Sequence, residues 1–344
     1  MHEPTDNVLS GLSRPALTGL TPAQLAALMP IAGRPSLTRG KAVWRALRSG
    51  PFDRWPALGG AALAQLQAHT TLPDLRIDAH VTSADGTQKW RLAVAGRAIE
   101  TVMIPLPTRS TVCVSSQSGC TRWCDFCATA RMSYAGNLDA GALVAQVLLA
   151  RMHAPSPVTN VVFMGMGEPL DNLDAVLQAV TVLDQGLGIA PRHTTVSTSG
   201  VLPKMERLWR ESRAAFALSL HATTQELRDR LMPRVKKWPI ADLIAFMRQA
   251  SAEDRSRHFF IEYALLDGVN DHLDDADRLV ALLDGVNARV NLIPFNATPG
   301  IGFQRPSVER IRAFQARVAA HVLCITRETR GDDSAAACGQ LASQ

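Results

Sequence analysis

The sequence has no uninterrupted apolar run approaching the ~20 residues that a membrane-spanning helix needs. Its start, Met1-His-Glu-Pro-Thr-Asp6, lacks a basic segment followed by an apolar one. Neither a spanning helix nor a secretory leader is expected, so the expected compartment is the cytoplasm, with no membrane partner. Cysteine is scarce: six in 344 residues, three of them clustered. That count argues against a secreted disulfide framework and for a reducing compartment with functional thiols. There is no repeat of fixed period and no long low-complexity tract. A strong charge imbalance is also missing, and the net charge of +5 permits a nucleic-acid partner without requiring one. With 47% hydrophobic residues, the chain can fill a barrel-sized catalytic domain plus a smaller appendage.

The clustered cysteines, Cys120, Cys124 and Cys127, lie in Ser118-Gly-Cys-Thr-Arg-Trp-Cys-Asp-Phe-Cys127 with the spacing C-x3-C-x2-C. Three thiolates ligate three irons of a 4Fe-4S cubane and leave the fourth open. S-adenosylmethionine (SAM) can chelate an open iron through its amino and carboxylate groups, and an electron passed to its sulfonium releases a 5'-deoxyadenosyl radical. The alternative is a structural zinc site, but such sites usually pair two C-x2-C arms, and no second arm exists here.

Residues 1–95 differ in texture from the rest. They contain helical stretches at Thr21–Leu28 and Gly40–Leu47, then alternating runs at Arg76–Val81 and Lys89–Val94 that read as a hairpin turning at Asp85-Gly86. From Thr111 onward, strand, loop and helix recur. The expected strands are Thr111–Ser116, Asn160–Met164, Thr194–Ser197, Ala215–Leu220, Phe259–Leu265 and Arg289–Ile293. Amphipathic segments separate them at Asp139–Met152, Leu173–Asp184, Ile240–Gln249, Asp274–Leu283 and Ser307–Val318. Parallel strands need covering crossovers, so the expected fold is α/β, a partial (β/α)6 TIM-type barrel over 96–344 behind a small accessory domain over 1–95.

Polar motifs fall at the ends of these strands, where the loops of a parallel barrel share one face. Gly165 and Gly167 let the backbone approach a ligand, and Glu168 offers a carboxylate to an ammonium group. Ser199, Ser219 and Asn296 suit ribose hydroxyls or a carboxylate, although a helix cap or turn bond explains each equally well. Ser219-Leu220-His221 ends the fourth strand, and His221 also fits a purely structural histidine.

Seven segments together carry a resemblance: Val114–Cys120, Gly165–Leu170, Val196–Val201, Ala217–Ala222, Glu262–Asn270, Asn291–Asn296, and Thr329–Asp333 with Ala337–Gln340. In this order they resemble the radical SAM adenosine methyltransferases of RNA, the RlmN/Cfr family, from about Trp90 to the C-terminus. The resemblance implies methylation of an sp2 ring carbon of adenosine, carbon 2 more than carbon 8, in 23S rRNA or tRNA. It assigns the cluster to Cys120, Cys124 and Cys127, and SAM to Gly167, Glu168, Ser199, Ser219, Leu220, His221 and Asn296. Two SAM molecules serve each turnover: one methylates Cys338, and the other yields the radical that takes hydrogen from that methyl group. Cys113 then attacks sulfur to release the product through a transient disulfide with Cys338, and Glu100 matches the proton-handling glutamate. A flavodoxin-like electron donor and a monomeric state are implied as well.

Taken alone, Cys113 reads as a small buried hydrophobe and Cys338 as an idle thiol on a tail. Asp332 and Asp333 would raise a nearby thiol pKa rather than activate it. Arg228, Arg230, Arg234, Lys236 and Lys237 with Trp238 form a basic segment able to grip phosphates, and Arg327 and Arg330 lie near Cys338; a solvated helix face accounts for such a run too. The segment Ala128–Leu138 and Trp123 inside the cysteine loop depart from the family's usual pattern. The rival readings are another radical SAM reaction, such as glycyl-radical activation or thiolation, and a zinc-stabilised RNA-binding module without catalysis.

Overall fold

A computed structural model describes residues 14–342; the expectation drawn from Met1–Asp6 lies outside the described residues. The chain opens with helices α1 (Pro22–Leu28), α2 (Leu37–Ser49) and α3 (Gly60–His69). Thr21 begins α1 with a reciprocal cap, its hydroxyl accepting from the Gln24 amide while the Gln24 side chain accepts from the Thr21 amide. Two of these helices are those read from the sequence; α3 is an additional one.

Strands β1 (Leu75–Thr82) and β2 (Gln88–Val94) form the expected hairpin. Asp85 Oδ1 accepts from the Thr87 amide and Gly86 takes φ +82°, which closes the turn. The antiparallel run then continues through β3 (Arg97–Leu106) and β4 (Arg109–Cys113). Two short strands, β5 (Gln117–Ser118) and β6 (Gly136–Asn137), pair with each other and bracket the cysteine loop.

The rest alternates as α4 (Ala140–His153), β7 (Val158–Phe163), α5 (Leu173–Leu187), β8 (Thr194–Thr198), α6 (Leu202–Glu211), β9 (Ala215–Ser219), α7 (Gln225–Leu231), α8 (Ile240–Glu253), β10 (Phe259–Leu265), α9 (Leu273–Leu282), β11 (Ala288–Pro294), α10 (Val308–Ala319) and β12 (Cys324–Thr326). One sheet runs β1-β2-β3-β4-β7-β8-β9-β10-β11-β12. It is parallel from β4 onward, so the six expected strands are β4 and β7 to β11, in sequential order, and β12 adds a seventh. The fold is α/β, an open TIM-type partial barrel with an antiparallel extension.

Val161, Val196, Ile261 and Val290 are wholly buried along the parallel strands, as expected for a sheet covered on both faces. Trp44 of α2 is also wholly buried and donates Nε1–H to the Leu20 carbonyl. A Cβ at Gly186 in α5 would come 2.6 Å from the Trp44 ring, so glycine there lets the N-terminal helices seat on the barrel. Among the described residues no helix is long and apolar enough to cross a membrane.

Candidate active site

The parallel strands bring their C-terminal ends to one edge, and the sequence-predicted residues gather there. One cavity is lined by Cys120, Cys124 and Cys127 from the loop after β4 and by Gly167 and Glu168 after β7. Ser199 after β8, Ser219 and His221 at the end of β9, and Asn296 after β11 complete the wall, with Cys338 from the C-terminal tail. Leu220 is the exception. Its side chain is wholly buried away from the cavity, and its amide donates to the Glu262 carbonyl at 3.1 Å.

Glu168 is almost fully buried yet well served. Oε1 accepts from the Leu170 amide at 3.0 Å, and Oε2 accepts from the Ser199 amide at 2.8 Å and the Ser199 hydroxyl at 2.7 Å. The carboxylate therefore fastens the end of β8 to the end of β7 while still facing the cavity. Gly167 makes this possible with φ +101°, and a Cβ there would stand 2.6 Å from Cβ of Gln117. Gln117 in turn accepts the Glu168 amide through Oε1 at 2.8 Å. Ser219 and Ser197 face each other with hydroxyl oxygens 3.3 Å apart.

Arg228 overturns one expectation. It is fully buried, not part of a phosphate-gripping surface, and its guanidinium donates to the carbonyls of Ser199 and Ser219. One side chain thus ties the ends of β8 and β9 together. Burial pulls its pKa down to about 10, opposed by the neighbouring Cys124, Asp229 and Glu168. His221 adopts φ +57°, and its Nδ1 accepts from the Ala264 amide at 3.0 Å. That bond leaves the proton on Nε2. Burial first, and the Arg228 charge second, lower its pKa to about 3, so the ring is neutral throughout the physiological range.

The three clustered thiols are held in place by the chain around them. Cys124 and Phe126 pack on a small core formed by Leu231, Met232, Val235, Leu266, Phe295 and Ile301, and the Asp125 amide donates to the Leu231 carbonyl. As free thiols they resist ionisation. Burial pushes Cys120 up to about 12, and Cys124 and Cys127 also rise through burial and, for Cys124, the charges of its sister cysteines. Three such sulfurs facing one cavity call for a cation to stabilise their thiolates. Among the described residues, no three histidine, cysteine or acidic side chains converge tightly enough for a single metal ion. A cubane asks instead for one thiolate per iron. Arg228 also has Nε and Nη1 without partners beside Cys124, a buried positive charge suited to an anionic thiolate cluster. On these grounds the donor set fits a 4Fe-4S group.

A second cavity adjoins the first and shares Cys127, Thr129, Asn296 and Cys338 with it. Its lining includes Cys113, Val102 and Ile104. Cys113 is buried and free, with a pKa raised to about 12 by burial and by Cys338. Cys338 is also free and is exposed. Facing both is Arg327, whose pKa is raised first by Cys338 and then by Glu262 and Cys113. Arg327 forms an ion pair with buried Glu262 at 3.5 Å, and Glu262 accepts from Asn291 at 2.7 Å. Arg327, read from the sequence as a phosphate contact near Cys338, thus faces the thiols and Glu262; Glu262 is a further site residue, and a lone carboxylate in the apolar run Phe259-Phe-Ile-Glu-Tyr-Ala-Leu265 is its sequence signal.

The tail bearing Cys338 is pinned on several sides. Asn296 donates to the Cys338 carbonyl, the Ala128 amide to the Gly339 carbonyl at 2.7 Å, and the Thr129 hydroxyl to the Leu341 carbonyl at 2.6 Å. The divergent segment after Cys127 therefore holds the tail. Asp332 and Asp333 do the same: Asp332 accepts from Gln340 and Asp333 from the Ala84 amide. Glu100 lies on the face of β3 shared with Val102, the residue registered with Cys113. It does not line either cavity; its carboxylate accepts from the Ala342 amide at 3.0 Å and pairs with Lys89 at 3.5 Å.

A parallel partial barrel with three thiols at its open edge defines a class, and the radical SAM superfamily pattern matches residues 114–280. The dual-specificity RNA methyltransferase RlmN of Methylobacterium radiotolerans is 42% identical, over 96% of this chain and 87% of its own. The protein of the same name from Stenotrophomonas maltophilia is 44% identical, over 85% of this chain and 78% of its own. A solved radical SAM methyltransferase from Sphaerobacter thermophilus superposes with a TM-score of 0.88 at 39% identity, covering 96% of this chain and all of that one. The chain belongs to the RlmN family of radical SAM RNA methyltransferases.

Proposed function

We propose that this enzyme methylates carbon 2 of adenosine in ribosomal and transfer RNA, using two SAM molecules per turnover and a methyl group carried on Cys338. Cys120, Cys124 and Cys127 hold a 4Fe-4S cluster in this reading, and Gly167, Glu168, Ser199, Ser219, the backbone at Leu220, His221 and Asn296 hold SAM. When bound, these groups supply one-electron cleavage and a carbon radical, the chemistry needed at a ring carbon that is a poor nucleophile.

The chain's own residues do the rest. Glu168 orients an ammonium group, and neutral His221 offers a hydrogen bond from Nε2 without adding charge. Cys338 carries the methyl carbon to the base, and Cys113 attacks its sulfur, forming an S–S bond as the S–C bond to the product breaks. The electron pair of the S–C bond goes to the carbon, which takes up a proton to complete the methyl group; a base, for which Glu100 is the candidate, removes the proton at ring carbon 2, and the one electron in excess after radical addition would be returned to the bound redox group. Reduction of the disulfide by a cellular thiol restores both cysteines.

The observation that carries this reading is the position of Cys338 on the wall shared by the two cavities, one lined by all three clustered thiols and the other by Cys113. Glycyl-radical activation, thiolation and a zinc module have no use for that arrangement. We further assign residues 1–95 to an RNA-contacting accessory domain and 96–344 to the catalytic domain. The protein works in this reading as a cytoplasmic monomer fed by a flavodoxin-like donor. Nucleoside mass spectrometry of RNA from a deletion strain and its complemented parent tests the proposal: 2-methyladenosine disappears in the first and returns in the second. An unchanged nucleoside profile would refute it.

A further inference from the structure

Trp123 sits between two of the clustered cysteines and keeps 51% of its surface exposed. Its backbone is left-handed, with φ +54°. Bulky side chains rarely adopt that conformation, so the loop holds an aromatic ring outward against both the hydrophobic effect and backbone preference. Strain of this kind marks a place where the surrounding structure imposes a geometry.

The ring is also supported from behind. The Arg234 guanidinium lies 3.8 Å from its centroid. Arg122, which lines the cavity and is paired with Asp171, reaches to 5.8 Å from the Trp238 ring, and Lys237 lies 5.9 Å from that ring. Arg234, Lys236 and Lys237 are exposed and have no acidic partner among the described residues. The short segment that carries them is bound to the cysteine loop by the Asp125 to Leu231 hydrogen bond and by the core beneath Cys124 and Phe126. A rigid indole backed by a guanidinium, surrounded by unneutralised cations, therefore stands beside the mouth of the cavity.

We infer that Trp123, backed by Arg234, is a stacking platform for a nucleobase neighbouring the one that enters the cavity, with Lys236 and Lys237 contacting the adjoining phosphates. The inference rests on the RNA-methylating function proposed above and names a specificity determinant within it. Every base offers a π-face, and aromatic stacking with flanking cations is the usual means of holding a single-stranded segment. A flexible or purely charged rim would attract RNA without fixing which nucleotide is presented.

The test uses the reconstituted full-length protein with a transfer-RNA transcript and a ribosomal stem-loop transcript as probes. Trp123→Ala is expected to weaken binding about tenfold, the lower range for losing one base–aromatic stack, while Trp123→Phe stays close to the parent. Arg234→Ala, which leaves the cysteine loop untouched, weakens binding less than Trp123→Ala. Lys236→Ala lowers the slope of log affinity against log salt by about one, whereas Trp123→Ala leaves that slope unchanged. RNA quenches indole fluorescence in the parent, and Trp123→Phe removes most of that quench. Iron content and melting temperature confirm that each variant is intact. If the parent binds and methylates RNA while Trp123→Ala and Arg234→Ala keep full affinity and Trp123→Phe keeps the quench, the platform is refuted and the function stands. If the parent neither binds nor methylates either transcript, both fail.

Discussion

The two halves of the sheet do different work. In the parallel half, β4 and β7 to β12, the site residues are held by short-range geometry at strand ends: Glu168 fastens Ser199, and Arg228 joins the carbonyls of Ser199 and Ser219. In the antiparallel half the important bonds span more than two hundred residues. The Ala84 amide donates to Asp333, the Gly331 amide to Asp85, Lys89 to the Ala335 carbonyl and the Ala342 amide to Glu100. The parallel half builds the first cavity, and the antiparallel half helps to fix the segment that brings Cys338 to it. The comparison shows how a barrel edge is fitted with a reactive group that no barrel strand carries.

The largest expected effect separates Cys113 and Cys338 from the remaining lone cysteine, Cys324, which is buried at the far edge of the sheet. Cys338→Ala and Cys113→Ser are expected to reduce RNA methylation below detection by nucleoside mass spectrometry, while Cys324→Ala retains it. Peptide mass spectrometry of the Cys113→Ser protein should further find the tail cysteine bearing a methyl group or a methyl-linked nucleotide. Equal activity in all three variants would mean that the tail brings no reactive group to the cavity.

Next is Gly167→Ala, which places a Cβ 2.6 Å from the Gln117 side chain at φ +101°. It is expected to destabilise the fold by ~2 kcal/mol or more, read as a lower midpoint in urea. A neutral result would mean that the Gln117 and Glu168 arrangement is softer than its bonds imply.

His221 supplies a pH test of the parallel half. Its folded pKa is lowered to about 3 from 6.5, chiefly by burial, so the unfolded chain binds the extra proton between those values. Stability from this group is complete above about pH 6.5 and is lost as pH falls, by ~1 kcal/mol per pH unit. His221→Asn tolerates the left-handed backbone and removes the titration. Its stability should therefore fall less steeply than the parent's between pH 6.5 and 5 in denaturant titrations. Parallel curves would show that the imidazole is not held neutral.

The smallest expected effect concerns the exposed latch. Asp333→Ala removes the acceptor of the Ala84 amide, and its expected signature is faster proteolytic nicking of the tail with an unchanged melting temperature. A drop in melting temperature instead would mean that the tail is part of the global fold rather than a fitted appendage.

Much of the parallel half was legible because apolar strands end in polar motifs, as Val161–Phe163 runs into Gly165–Glu168 and Ala215–Leu218 into Ser219. The less legible elements lacked that signal. β12 has three residues, too few for a period of two to register. α3 is rich in alanine, with apolar residues spread around its axis. α6 is different: Met205, Leu208 and Trp209 are buried at a helical spacing that its sequence does contain. Arg228 was misread because a charge run normally marks a solvated face, and only the fold reveals that two strand-end carbonyls needed a donor. The bonds that hold the tail were out of reach for a related reason, since pairings such as Asp333 with Ala84 leave no periodic trace in the chain.

Because Asn296, Ala128 and Thr129 grip the backbone around Cys338 while its sulfur borders two chambers, whatever that sulfur carries need not travel on a swinging arm. The freedom left to the side chain is rotation about its own Cα–Cβ bond, among staggered wells about 120° apart.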